Sequence, residues 1–259
     1  MSFEVAADAY GRFMGRFSAG LSSGLADLAE VRGGQRVLDV GAGPGALSTE
    51  LVRRVGEEHV AAVDPSPPFV AALHARLPGA DVRRGTAEEL PHPDDTFDAA
   101  LAQLVVHFMS DPITDVREMA RVTVPGGVVT ACVWDHAGGR SPLSTCWAAI
   151  AALDPDAVDE GGLPGVRAGH LAQIFAEAGL ADVEESELSV ASTFTSFEEW
   201  WAPYLFGIGP LGEYLAALDD AAREHLRARC AAVLGPAPFT VEATAWAVRA
   251  RVDGRLRAA

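Results

Sequence analysis

The sequence contains no lysine, so all 20 of its basic residues are arginine. Schiff-base and pyridoxal phosphate chemistry and the phosphate grip of a P-loop each require a lysine, and those classes are excluded. Cysteine is scarce. Cys132, Cys146 and Cys230 are widely spaced and include no Cys-x-x-Cys pair, which argues against a zinc knuckle or a disulfide framework; they read as small buried hydrophobes, and no metal site is expected. Long apolar runs are missing as well: the longest uncharged apolar stretch near mid-chain, 141–153, is too short to cross a bilayer. The chain does not open on a basic segment followed by an apolar run, so a cytoplasmic protein without a membrane partner is expected. Basic charge is outweighed by 36 acidic residues, for a formal charge of −16. Attraction to a phosphate backbone needs a basic face, which disfavours nucleic acid as a partner.

What is present is the composition of a folded globular chain, with 49% hydrophobic and 22% charged residues. At 259 residues a single domain with one active site is expected. Apolar positions at helical spacing, interrupted by glycines, mark 1–30 as a broken helical leader. From 31 to 134, strand and helix signals alternate. Strands are expected at 36–40, 59–63, 80–83, 97–102 and 128–133, and helices at 46–55, 68–77 and 112–122. That rhythm implies βαβ units and a parallel sheet covered on both faces. Beyond Trp134, residues 135–169 are rich in Gly, Pro, Asp and Ser and read as a loop-rich insertion with one short helix at 143–153. A helix at 170–178 and strands at 183–190 and 240–252 complete the set. Between the last two strands lies a mostly helical insertion, 196–234, in which Leu211, Leu215, Leu218, Ala222, Leu226, Cys230 and Val233 form one apolar stripe, read as packing against the core. The expected fold is α/β and doubly wound, a mostly parallel seven-stranded sheet with a helical lid.

The strongest chemical signal is the run Val37-Leu38-Asp39-Val40-Gly41-Ala42-Gly43-Pro44-Gly45, a strand entering a glycine-rich turn and then a helix. Glycines there allow positive φ and let a ligand approach the backbone. Taken alone, the same run also suits a tight turn with no ligand. Asp64 ends the next strand nineteen residues past Gly45, where a carboxylate can accept both ribose hydroxyls. Asp39 places a second carboxylate at the base of the turn, which a pyrophosphate would find repulsive and a cationic ligand would tolerate.

With these residues in place, the chain resembles the class I S-adenosylmethionine-dependent methyltransferases, in their small-molecule, quinone-biosynthesis-like "type 11" branch. The resemblance extends through Gly85-Thr86-Ala87-Glu88-Glu89-Leu90-Pro91, Phe97-Asp98-Ala99-Ala100 and Arg121-Val122-Thr123-Val124-Pro125-Gly126-Gly127, in family order over roughly 35–134. It implies a Rossmann-like methyltransferase fold and S-adenosylmethionine as cofactor. By position it implies that Gly41, Ala42, Gly43 and Gly45 line the methionine portion, Asp64 holds the ribose and Pro65 covers one adenine face. Thr86 and Ala87 would meet the adenine edge, and Gln103 would face the methionine end. The family usually has Asp where this chain has Thr86, so that hydrogen bond loses charge assistance unless Glu88 compensates. The leader, Tyr10-Gly11-Arg12-Phe13-Met14-Gly15-Arg16-Phe17-Ser18, is similar to leaders that fold over the cofactor. Arg16 or Tyr10 would then meet the methionine carboxylate; a solvated Arg16 on an amphipathic helix is the other reading.

Methyl transfer is an in-line attack on a sulfonium methyl, so alignment and water exclusion matter more than a strong base. Where a base is needed, His107, just past the fourth strand, is the first candidate and His136, beside Asp135, the second; packed or solvated histidines are the alternatives. Trp134, at the end of the fifth strand, and Trp200, Trp201 and Tyr204 of the late insertion are candidates to line a partly apolar small-molecule acceptor site, or simply to fasten the insertion down. Two other functions share some of these features. A nicotinamide-dependent oxidoreductase would have the strand, glycine turn and ribose carboxylate, and a regulatory protein could bind the cofactor without turnover. The acceptor, the atom methylated and the oligomeric state are encoded in no pattern of the sequence.

Overall fold

The structure, a computed structural model, describes residues 11–254. Tyr10 and the first third of the expected leader lie outside the described residues. The described chain begins with a π-helical turn, Gly11–Gly15, which runs into helix α1, Arg16–Leu28. Next come β1 (Val37–Val40), α2 (Ala46–Val55), β2 (Val60–Asp64), α3 (Pro67–Arg76), β3 (Asp81–Arg84), β4 (Phe97–Gln103), α4 (Pro112–Val122) and β5 (Thr123–Trp134). The later elements are α5 (Ser144–Ala151), α6 (His170–Glu177), β6 (Ala181–Phe194), α7 (Phe197–Trp201), α8 (Gly209–Ala217), α9 (Asp220–Leu234) and β7 (Phe239–Arg251).

The strands form one seven-stranded sheet in the order β3-β2-β1-β4-β5-β7-β6. The first five strands are mutually parallel, and β7 runs antiparallel to both β5 and β6. This is the doubly wound, mostly parallel sheet that the alternating pattern implies. Strands β1 and β2 are buried at every position, because helices cover both their faces. On one face, Phe17, Leu21 and Leu25 of α1, Leu47 and Leu51 of α2 and residues of α5, α8 and α9 share a core. On the other, Val116 and Met119 of α4 pack with Leu171 and Ile174 of α6. Helix α1 lies close against β6 because position 20 is glycine: a Cβ there would stand 2.9 Å from Val190 Cγ1.

Two strands run longer than their sequence signals. The Pro125-Gly126-Gly127 segment reads as a turn, yet it belongs to β5, because Gly126 N–H donates to Val252 O (2.9 Å) and Val252 N–H donates to Gly127 O (3.0 Å). Strand β6 is an edge strand with its outer positions exposed, so its apolar alternation fades before its pairing does. The apolar stripe expected along 211–233 is broken between α8 and α9. Asp219 caps α9 by accepting from Ala222 N–H at 2.7 Å, and Val233 stands exposed rather than packed.

Candidate active site

The winding of the sheet reverses between β1 and β4, and the crevice beyond the carboxyl ends of strands at such a point is where ligands bind in open α/β sheets. A cavity of about 350 Å³ lies there. It is lined from β1 and its turn by Val40, Gly41 and Gly43, from β2 by Val63, Asp64, Pro65 and Ser66, and from the turn after β3 by Gly85, Thr86, Ala87 and Glu88. Phe69 of α3 adds to that side, and Gln103, Leu104, Val105, Phe108 and Met109 close the wall beyond β4.

The glycine turn is built from backbone hydrogen bonds. Gly41 N–H and Ala42 N–H both donate to Val63 O, at 2.8 and 3.1 Å. Gly41 has φ +69°, and a Cβ at that position would meet Val105 Cγ2 at 2.6 Å, so both conformation and space require glycine. Asp64 fixes the next part of the turn: its Oδ2 accepts from Gly43 N–H and its Oδ1 from Ser66 N–H, each at 2.8 Å. Burial pushes its carboxyl above the ordinary carboxylate range, and the two N–H donors oppose that. Each oxygen keeps lone-pair capacity for a further donor. Asp64, Pro65, Thr86, Ala87, Glu88, Gly41, Gly43 and Gln103 are therefore brought together around one cavity.

Other expected residues are not. Ala42 is turned into the small core beneath α3, and Gly45, at the start of α2, is covered by Leu73; neither lines the cavity. Asp39 is buried behind the turn, where its Oδ2 accepts from Ser48 Oγ at 2.5 Å. Desolvation, with a smaller contribution from the nearby Asp64, raises its pKa to about 7. Arg16, at the start of α1, is drawn instead to β6 and the 196–234 segment. It donates to Glu199 Oε1 at 2.7 Å and lies over the Phe194 ring, 4.5 Å from its centroid, so it lines no part of the cavity.

A smaller pocket of about 40 Å³ shares Leu104 and Phe108 with the large cavity. Phe13, Met14, His107, Trp134, His136, Leu143, Glu160, Ile208 and Gly209 complete its lining. Leu104, between the two spaces, has φ +60°, a left-handed conformation that is strained for a leucine. The rings of His107 and His136 lie 5.8 Å apart. Trp200, Trp201 and Tyr204 line neither space. They sit one layer behind, Trp200 and Trp201 being 1% and 2% exposed. Tyr204 meets the ring of Phe13 at 5.7 Å and donates from its hydroxyl to Pro142 O at 3.2 Å. A cluster of aromatic residues signals burial, not which cavity, if any, they face.

Several lining residues carry no signal that the sequence reading used. Leu104, Val105, Phe108 and Met109 were not among the expected residues; they follow a parallel strand, and that position, facing the crevice, is the signal that could have pointed to them. Glu160 is different, since it belongs to a short turn, 160–162, within a Gly- and Asp-rich stretch that reads as solvated loop. It is buried because Trp147 Nε1–H donates to its Oε2.

Residues 38–131 match the model of a methyltransferase domain family. An uncharacterized methyltransferase of Mycobacterium tuberculosis is 45% identical over 101 residues, covering 39% of this chain and 40% of that protein. The 2-methyl-6-phytyl-1,4-hydroquinone methyltransferase 1 of rice, Oryza sativa, is 37% identical over 102 residues, or 39% of this chain and 30% of that protein. The matched stretch thus spans two fifths or less of these curated relatives' length. A solved S-adenosylmethionine-dependent methyltransferase of Thermotoga maritima superposes with a TM-score of 0.57 at 20% identity, covering 97% of this chain and 98% of that one; the likeness is one of fold.

Proposed function

We propose that this chain, whose residues 38–131 match a methyltransferase domain model, transfers the methyl group of S-adenosylmethionine to a small-molecule acceptor. The observation that carries the reading is the cavity at the switch point, where a glycine turn, a buried carboxylate and an unpaired amide oxygen converge. Three features of these residues fit the cofactor. A Cβ on Gly43 would project into open space, so the turn leaves room for a ligand against its backbone. Asp64 can accept ribose hydroxyls while keeping its own two N–H donors. Gln103 Nε2 donates to Ser18 O at 3.0 Å, which turns its partnerless, buried Oε1 into an available acceptor for an ammonium group. Thr86, Ala87 and Glu88 would serve the adenine edge and Pro65 its face.

The cofactor supplies an electrophilic methyl on a sulfonium. The protein's own work is to bind, align and keep water out. Leu104, Phe108, Trp134 and Phe13 form an apolar boundary on the acceptor side. The segment 196–234 acts as a lid through Ile208 and Gly209, with Trp200, Trp201 and Tyr204 holding it down from behind. The acceptor is a small, partly apolar molecule in aqueous solution, in keeping with the acidic surface charge; among the described residues no helix is long and apolar enough to cross a membrane. Calorimetric titration tests the reading: S-adenosylmethionine and its demethylated product should each saturate one site, and NAD should not bind. Binding of NAD alone would overturn it.

A further inference from the structure

A groove of about 460 Å³ lies outside the cofactor crevice and shares no lining residue with either space described above. It opens where the apolar stripe of 211–233 breaks. Helix α8 ends at Ala217 and α9 begins at Asp220, and the short side chains of Ala221 and Ala222 leave the gap between α9 and the end of α5 unfilled. Ile150 and Leu226, each 1% exposed, form the floor, with Leu218 and the 43% exposed Leu153 beside them. Aliphatic surface is thus left facing water, and a ligand body that covered it would gain its burial. Aliphatic walls, a volume of this order and a few polar groups are the features of a small-molecule site.

The polar groups of the groove are Asp154, Tyr214 and the exposed His225, and no arginine lines it. Asp154 is held in place: its Oδ2 accepts from the Tyr214 hydroxyl at 3.0 Å and its Oδ1 from Asp156 N–H at 3.3 Å. The Tyr214 ring rests in turn on buried Trp147, their centroids 6.0 Å apart. Each carboxylate oxygen keeps lone-pair capacity for a further donor. The two stretches that form the groove, 150–160 and 213–226, carry eight acidic residues and one arginine, Arg223. That guanidinium is engaged within the α8–α9 connection, by Asp220 and by the carbonyls of Leu215 and Leu218. The positive end of α9, at Ala221 and Ala222, is met by its own cap, Asp219. An anion in the groove would find no free counter-charge, whereas an ammonium group would gain charge-assisted hydrogen bonds to a carboxylate already oriented. We propose that this groove binds an amphiphilic amine, its apolar body against Ile150, Leu153, Leu218 and Leu226 and its ammonium on Asp154. The site is independent of the methyltransferase reading, since neither cofactor nor acceptor enters it.

The test is calorimetric titration of the full chain with octylamine, octanoate and 1-octanol, which share an apolar body and differ in charge. Octylamine should bind at least tenfold tighter than octanoate, and excess S-adenosylhomocysteine should leave its affinity unchanged. The titration of S-adenosylhomocysteine alone judges the cofactor site separately. Asp154→Asn, a change of charge at nearly constant shape, should weaken octylamine at least tenfold and leave 1-octanol as it was. Glu184→Gln, which removes an exposed acidic residue of β6, should not alter octylamine binding, and so separates the Asp154 carboxylate from the net charge of −16. Ala221→Trp, which fills the groove, should abolish binding of both octylamine and 1-octanol at an unchanged unfolding temperature. The proposal is overturned if octylamine does not bind, if octanoate binds as tightly, if S-adenosylhomocysteine displaces the amine, or if Asp154→Asn binds it as wild type does.

Discussion

The two halves of this molecule solve different problems. Through Trp134 the chain builds a parallel sheet whose inner strands are buried on both faces, and most groups that line the large cavity sit at, or just past, the carboxyl end of a strand. After Trp134 it builds an antiparallel pair with an exposed edge and a helical segment between them, and its contributions to the small pocket come from turns: His136, Leu143, Glu160, Ile208 and Gly209. The first arrangement fixes a site by backbone geometry, which leaves few sequence solutions; the second fixes it by side-chain packing, which leaves many. The matched family model, 38–131, covers only the first.

Four substitutions would sharpen or break that contrast. The largest effect is expected from Trp200→Ala in the second half, which removes a fully buried aromatic and should cost about 3–5 kcal/mol of stability. Thermal unfolding measures it, and cofactor affinity in the folded fraction should be unchanged; an affinity loss without a stability loss would make Trp200 part of the site. Asp39→Asn comes next. The raised pKa means the folded state holds a proton that the unfolded state releases, so the contribution of Asp39 to stability is fully present below about pH 4 and is lost as pH rises through about 7. Asparagine cannot ionise, so the variant should gain stability over wild type above pH 7, by at most ~4 kcal/mol for a shift of this size, and match it near pH 4. Denaturant melts across that range would show the two curves diverging, or parallel curves if Asp39 does not hold its proton.

Asp64→Ala should weaken binding of S-adenosylmethionine by roughly 1.5–3 kcal/mol, the scale of hydrogen bonds to a charged group. Asp64→Asn, which keeps an acceptor for one of the two N–H donors, serves as the control for collapse of the glycine turn, and calorimetry reads both. The smallest effect is expected from Arg16→Ala. Arg16 and Glu199 are each about one-third exposed (34% and 32%), so their ion pair should be worth no more than ~1 kcal/mol. Cofactor affinity should not change, whereas a tenfold loss would return Arg16 to the cofactor.

The same contrast governs what the sequence discloses. A fully buried parallel strand leaves a continuous apolar run, and a turn that admits no Cβ leaves a glycine, so 37–45 and Asp64 can be located from the residues themselves, whereas 86–88 and Gln103 are legible only through the resemblance to the methyltransferase family. Arg16 cannot be assigned that way, because its partner, Glu199, is 183 residues distant and belongs to an insertion whose docking is set by tertiary packing. The aromatic residues 200, 201 and 204 announce burial only, and the two sides of a buried layer look alike in sequence. Glu160 is hidden for the opposite reason: its neighbours are those of a solvated loop, and only the Trp147 indole makes it an interior group.

The central claim is that the cofactor occupies the crevice of the first half while the second half supplies the acceptor side. Hydrogen–deuterium exchange with and without S-adenosylhomocysteine tests it most directly. Protection is expected in peptides covering 40–45, 64–66, 85–88 and 103–109, with α9, Asp220–Leu234, unchanged. Protection confined to 197–234, or absent from 40–45 and 64–66 at saturating ligand, would contradict the account.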